Sequence, residues 1–315
     1  MLENLVFSLN VTIPIFLLMM LGAFLKGIGF LKDEVSSGMN KFVFKAALPV
    51  LLFKDLSTQD FKEAFDLKFV LFCFLVTALS ITSIFILSLL LIKKEQKNLR
   101  GEFIQAAYRS SAALLGIAFI KNIYGNSGMA PLMILASVPL YNIMAVIVLS
   151  VYAPGHTHTD YKKTLKGIVT NPIIIGIVIG FAWSILKIPQ PVILSKTVEN
   201  IANTATPLGL IAMGASFDIK KAKNTGKLAI IAAVIKLVLL EVIFLPIAIS
   251  LGFRESKLIA ILVMLGSATT VSSFVMAKNM GHEGTLSASV VMLTTLFSAF
   301  TLTAWLYILK TMAFI

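Results

Sequence analysis

The residues best suited to chemistry are a guanidinium and a set of hydroxyls embedded in apolar sequence. They fall in two stretches, Tyr108-Arg109-Ser110-Ser111 and Gly266-Ser267-Ala268-Thr269-Thr270-Val271-Ser272-Ser273. Arginine holds a carboxylate through two parallel hydrogen bonds, and hydroxyls or free backbone N–H groups complete an anion's shell. Arg109, Ser110, Ser111, Ser267, Thr269, Thr270 and Ser272 are therefore candidate ligands for a small anion. Lys45, Asn142 and Asn203 are further polar side chains in apolar stretches; Lys45 has no acid within a helical turn, which leaves it an anion or another helix as partner. Each has a plainer reading. Arg109 can snorkel to lipid headgroups, Asn142 can join helices, and Ser, Thr and Gly runs let helices pack closely.

Catalysis is not indicated. A covalent mechanism needs a nucleophile beside a base, and a metal site needs three or four ligands; Cys73 stands alone in an apolar stretch, and His156 and His158 have no third ligand nearby. We expect no enzyme activity, no cofactor and no metal. Glu241 is the deepest acid and the candidate for coupling to a proton. Lys236 is five residues from it, a spacing that on an α-helix turns the two side chains toward different neighbours.

These residues are positioned by membrane helices. Hydrophobic residues make up 58% of the 315 and charged residues 13%, with a mean hydropathy of +0.93, a balance found in integral membrane proteins. Ten apolar spans can be drawn, near 5–26, 36–55, 67–92, 102–123, 128–153, 166–186, 191–216, 226–250, 255–279 and 283–310. The first lacks a basic leader and a small-residue cleavage site, so it reads as a retained span. The net charge of +12 does not point to nucleic acid, because the Lys and Arg residues sit in short loops beside spans. Alternate loops carry Lys93, Lys94, Lys97 and Arg100, then Lys162, Lys163 and Lys166, then Lys220, Lys221, Lys223 and Lys227. The positive-inside rule then predicts a multi-pass protein of the cell membrane with both termini extracytoplasmic.

The chain also repeats itself. Pro14 and Pro172 are separated by the same 158 residues as Pro49 and Pro207, and as Gly22 and Gly180. Ser110 and Ser267 match at 157. Five spans per half force the second copy to enter from the opposite side, giving an inverted repeat, with 1–153 as one half, 154–165 as a cytoplasmic linker and 166–315 as the other. Inverted repeats are frequent in transporters, whose sites lie at the midplane between broken helices. Pro49, Gly116, Pro172, Pro207 and Gly266 are the candidate helix-breaking or structural positions.

Three motifs carry a family resemblance: Leu48-Pro49-Val50-Leu51-Leu52-Phe53, Asn171-Pro172-Ile173-Ile174-Ile175-Gly176, and Ala205-Thr206-Pro207-Leu208-Gly209-Leu210-Ile211-Ala212-Met213-Gly214. Together they resemble the auxin efflux carrier family, which includes plant auxin exporters and bacterial malonate and malate permeases. The resemblance implies an all-α fold of ten helices in two inverted five-helix repeats, with scaffold and transport domains drawn from both. Helices four and nine would be interrupted and cross, as in bile-acid and sodium/proton carriers. It further implies secondary transport of small organic anions, with Asn142 facing the site. Here the crossing helices depart from the family pattern: Ser111 stands where an Asn is expected, Ala113 where a Gly, and Ala118 and Ala268 where prolines would be. The break in helix nine must then come from packing or from the hydroxyl cluster, and an intact helix is the alternative. The expected partners are an organic anion such as malate or malonate, membrane lipid and a second copy in a homodimer. The alternative function is a membrane sensor that binds a ligand without moving it.

Overall fold

The computed structural model describes residues 2–58, 65–112, 120, 121, 123, 128–154 and 161–315, and every regular element among them is helical. Helix α1 is Leu2–Gly27. Helix α2, Asp33–Phe42, runs through a π-helical turn, Val43–Ala47, into α3, Leu48–Ser57. Then come α4 (Leu67–Leu91), α5 (Asn98–Tyr108) and α6 (Ala130–Val151). Helices α7 (Tyr161–Val169) and α8 (Pro172–Ile185) nearly abut and precede α9 (Val192–Ser216). Helix α10 (Ile219–Val234) joins α11 (Leu240–Ser250) through a second π turn, Ile235–Leu239. Helices α12 (Glu255–Gly266), α13 (Ser272–Asn279) and α14 (Thr285–Thr311) follow.

Four stretches among the described residues, 67–91, 130–151, 219–250 and 285–311, are long and apolar enough to cross a bilayer. The outer surface is correspondingly greasy: Leu90 is 79% exposed and Ile193 83%. Hydrocarbon rather than water is the solvent that tolerates such side chains outside.

Helix starts follow from local chemistry. Asp66 caps α4 by accepting from the Phe69 N–H at 2.9 Å, and Asp218 caps α10 by accepting from Lys220 and Lys221 N–H. Asn171 caps α8 by accepting from the Ile173 N–H, and Pro172 follows at the first helical position, where its missing N–H leaves nothing unpaired. Expected as helix-breaking or structural positions, neither Pro49 nor Pro207 interrupts its helix. Helix α9 runs unbroken through Pro207. Pro49 lies in the first turn of α3, directly after a π turn that widens the helix where the proline ring would otherwise press on the preceding turn. Gly116, Ala113 and Ala118 lie outside the described residues.

Two helix pairs are held by glycines. Helix α1 packs on α9, and α3 on α8. A Cβ at Gly22 would strike the Ile211 carbonyl, one at Gly214 the Met19 carbonyl, and one at Gly176 the Pro49 carbonyl. At Gly180 it would lie 3.1 Å from the Phe53 backbone. Bare glycine surfaces let these backbones touch, and in lipid such close packing replaces the hydrophobic effect as the force between helices. Phe53 and Trp183 meet edge to face at 5.5 Å across the second pair.

At the start of α4, the Lys257 ammonium donates to the Asp66 carboxylate. That bond first, and the Phe69 N–H second, hold the Asp66 carboxyl below the usual carboxylate range. A carboxyl depressed in the folded state contributes stability above its unfolded pKa and loses it as pH falls through the folded one. Asp66→Ala is therefore expected to cost about 1 kcal/mol, as a lost helix cap, at neutral pH and progressively less in acid. Thermal melting of the solubilised protein against pH checks this: a deficit that persists unchanged in strong acid would contradict it.

Candidate functional site

Helices α5 and α12 end against one another in the buried interior. Helix α5 ends at Tyr108, and Arg109 is already extended with φ −75° and ψ 128°. Helix α12 ends at Gly266, and Ser267 is likewise extended before α13 starts at Ser272. The two non-helical segments are tied directly, the Ser111 N–H donating to the Ala268 carbonyl at 2.9 Å. The break between Gly266 and Ser272 expected in the ninth span is present, and no proline lies in it.

What sustains the break is the pairing of the carbonyls it frees. Met264 O, at the end of α12, accepts from the Ser110 hydroxyl and from the Tyr141 hydroxyl at 3.1 Å. Leu265 O accepts from the Lys236 ammonium, a cation at a helix C-terminus where the dipole favours it. Ala106 O, at the end of α5, accepts from the Thr269 hydroxyl at 2.8 Å, and the Thr269 N–H donates to the Thr294 hydroxyl at 3.0 Å. Each such group left bare in the membrane costs several kcal/mol, so these hydroxyls do locally what a proline does elsewhere. Gln105 adds a bond across the junction, its amide donating to Ser273 O at 2.8 Å.

Beside this junction lies a cavity of about 460 Å³. Of the residues singled out in the sequence, Arg109, Ser110, Ser111, Asn142, Asn203, Pro207, Thr270 and Ser272 line it. Thr269 lines a smaller crevice next to it, together with Ser111 and Thr270. Ser267 is buried and lines neither. Glu241 lies outside the cavity, packed on Gly266. Lys45 is on the exposed face of the first π turn, apart from the cavity, so the expectation that it shares the site with Arg109 is corrected. Lys54, Asp55, Tyr141 and Thr206 line the cavity without having been singled out. Lys54 and Asp55 read as loop charges at the edge of a span; their signal was the heptad spacing from Leu48, also in the wall, to Asp55 on one helix.

Arg109 dominates the electrostatics. It is 3% exposed, and its guanidinium donates to the Asn142 side-chain carbonyl and to the Met276 sulfur. Asn142 is oriented by its own amide, which donates to Val138 O at 2.8 Å. The ion pairs among the described residues join Lys26 to Asp33, Lys54 to Glu199, Lys221 to Glu283 and Lys257 to Asp66. None neutralises Arg109. A buried cation with spare N–H donors therefore faces a cavity that also carries the Thr270 and Ser272 hydroxyls, 3.2 Å apart at the start of α13.

The family described as membrane transport protein matches residues 7–306. The chain belongs to that family. This places it in the auxin efflux carrier and malonate permease-like group that its motifs resemble, and makes it a transporter by family. A relative in Rhizobium meliloti (strain 1021), named "Putative malonate transporter", is 24% identical over 96% of this chain and 95% of its own length. An uncharacterised transporter of Methanocaldococcus jannaschii is 22% identical over 96% of this chain and 98% of its own. A third, from Methanothermobacter thermautotrophicus, is 20% identical over 96% and 98%. The membrane transport protein family thus spans the interrupted helices and the cavity wall alike.

Proposed function

We propose that this family member is a secondary carrier of small organic anions, mono- or dicarboxylates of the size of malonate or malate, working by export or exchange. The carrying observation is Arg109, a buried guanidinium without an acid partner among the described residues, facing a cavity where two interrupted helices meet. Ser110 and Ser111 beside it, Asn142 bonded to it, Asn203 in the same cavity wall, and Thr270 and Ser272 at a helix N-terminus would complete the anion's shell. The name of the Rhizobium relative agrees in substrate class.

The mechanism we infer is alternating access between two inverted five-helix repeats, 1–153 and 166–315. The glycine contacts support it. Moving Gly22 and Ile211 by 158 residues in opposite senses gives Gly180 and Phe53, which form the corresponding contact on the other pair of helices. Helices α5 with α12 supply the paired interruptions. With both termini extracytoplasmic, Lys54 and Asp55, which line the cavity, belong to the outward end of α3. A membrane negative inside then favours export of a monoanion by about 2.3 kcal/mol per 100 mV.

Purified protein in liposomes is expected to exchange labelled malonate or malate against the unlabelled acid. Stabilisation by these acids in a thermal shift assay, with no exchange across a panel of carboxylates, would replace the carrier with a non-transporting sensor.

A further inference from the structure

Lys236 and Glu241 line neither cavity, and both are fully buried. Their spacing was expected to send them to different neighbours. The π turn Ile235–Leu239 overturns this, because a repeat closed by i→i+5 bonds brings positions five apart to one face. Both side chains reach the C-terminal end of α12. The Lys236 ammonium donates to Leu265 O, and the Glu241 carboxylate rests on Gly266, where any Cβ would collide with Oε1. Neither Glu241 oxygen has a hydrogen-bond partner among the described residues.

The charged groups on the elements packed around this pair are otherwise engaged or remote. Glu102 on α5 accepts from the Gly284 and Ser287 N–H groups at the start of α14, and Arg109 faces the cavity. Glu255 and Lys257 belong to the opposite end of α12, Lys220, Lys221 and Lys223 to the first half of α10 with Lys227 just past its middle, and Lys310 to the last turn of α14. Among the described residues, Lys236, brought to the same face by the π turn, is the charge that faces Glu241.

A carboxylate sealed from water without a single donor is costly, and so is an ammonium with one acceptor. The arrangement is tolerable when the pair is neutral overall. A metal cation does not suit it: hard cations take six or more oxygens, whereas here there are two carboxylate oxygens, a carbonyl already used by Lys236 and a glycine leaving no space. A proton needs one oxygen. We propose that Lys236 and Glu241 form a proton-binding site, distinct from the cavity, that changes occupancy as the contact with α12 opens. Sealed on Gly266 and Leu265, the pair holds one exchangeable proton beyond the neutral amine and carboxylate and carries no net charge. From hydronium in mildly acidic buffer Glu241 takes one further proton as a new O–H bond, leaving water behind and the pair a single ammonium charge; water that enters when the contact opens solvates the carboxylate and favours release of that proton. That this proton accompanies a transported anion rests on the function proposed above; its binding does not.

Infrared difference spectroscopy of the purified protein, taken from alkaline to mildly acidic buffer, tests the site without any substrate. The wild type is expected to gain a carboxylic-acid C=O band that Glu241→Gln lacks, with circular dichroism and elution volume unchanged. In Lys236→Met the carboxyl has no cation to hold its charge and keeps its proton, so the band is expected already in alkaline buffer. Should Glu241→Gln fail to fold with Lys236 uncompensated, Lys236→Met/Glu241→Gln gives the same comparison against Lys236→Met, since removing both charges spares the penalty of removing one. Identical difference spectra with and without Glu241, or a Lys236→Met band that titrates as in the wild type, would overturn the proposal. Absence of malonate flux would remove the carrier reading and leave the infrared result standing.

Discussion

Arg109→Gln is expected to lower malonate or malate exchange in liposomes at least about thirtyfold, the loss that accompanies about 2 kcal/mol of binding energy. The figure follows from placement. Arg109 is buried, its side chain is aimed by Asn142, and no acid among the described residues neutralises it. A carboxylate in the cavity would meet a charge that water does not screen, and hydrogen bonds to charged groups are worth about 1.5–3 kcal/mol each even in ordinary settings. Arg109→Lys keeps the charge but loses the planar fork, so it should fall between the two. Thermal melting separates binding from folding. Removing an uncompensated buried charge relieves desolvation, so the Gln variant should melt at or above the wild-type temperature while transporting poorly. Full exchange in Arg109→Gln would take the guanidinium out of the site.

Gly22→Val and Gly176→Val are expected to destabilise the solubilised protein by about 3 kcal/mol or more, at the upper end for overpacking. The atoms that a Cβ would strike, the carbonyls of Ile211 and Pro49, are backbone and cannot swing aside. The helices must separate along their length instead, forfeiting the dispersion contacts that stand in for the hydrophobic effect in lipid. Gly38→Ala is the control. Nothing lies within 4 Å of a Cβ there, and the position is inside α2, so better helix propensity should make the change neutral or stabilising by up to about 1 kcal/mol. Equal melting temperatures for Gly22→Val and Gly38→Ala would show that the close approach contributes nothing.

The contrast between these positions explains what could be read from sequence. Apolar run length marked where helices run but not all their bounds: the span drawn from 226 begins at Ile219 in α10, and the one drawn from 166 is the two helices α7 and α8, while Asp66, Asn171 and Asp218 cap the starts of α4, α8 and α10. The polar runs at Ser110 and Ser267 marked the junction, because hydroxyls in hydrocarbon need partners. Local register was not legible. Two π turns shift everything beyond them, which is why Lys236 and Glu241 share a neighbour. Glu102 and Gln105 also escaped notice. Both sit near the start of a span, where a polar residue ordinarily faces headgroups, yet one caps α14 and the other reaches Ser273 O. The break without proline was open for the same reason: its supports, Tyr141, Lys236 and Thr294, are far away in the chain.

The glycine seats bear on how the protein is made. Helix α1 finds its seat on α9 and α3 on α8, so each early helix has its tightest partner in the second half of the chain. As the ribosome feeds the membrane, α1 waits for about 190 residues before Ile211 and Gly214 arrive to dock against Gly22 and Met19. The first half alone would be an unfinished surface, and two halves produced as separate polypeptides should find one another in the bilayer and assemble.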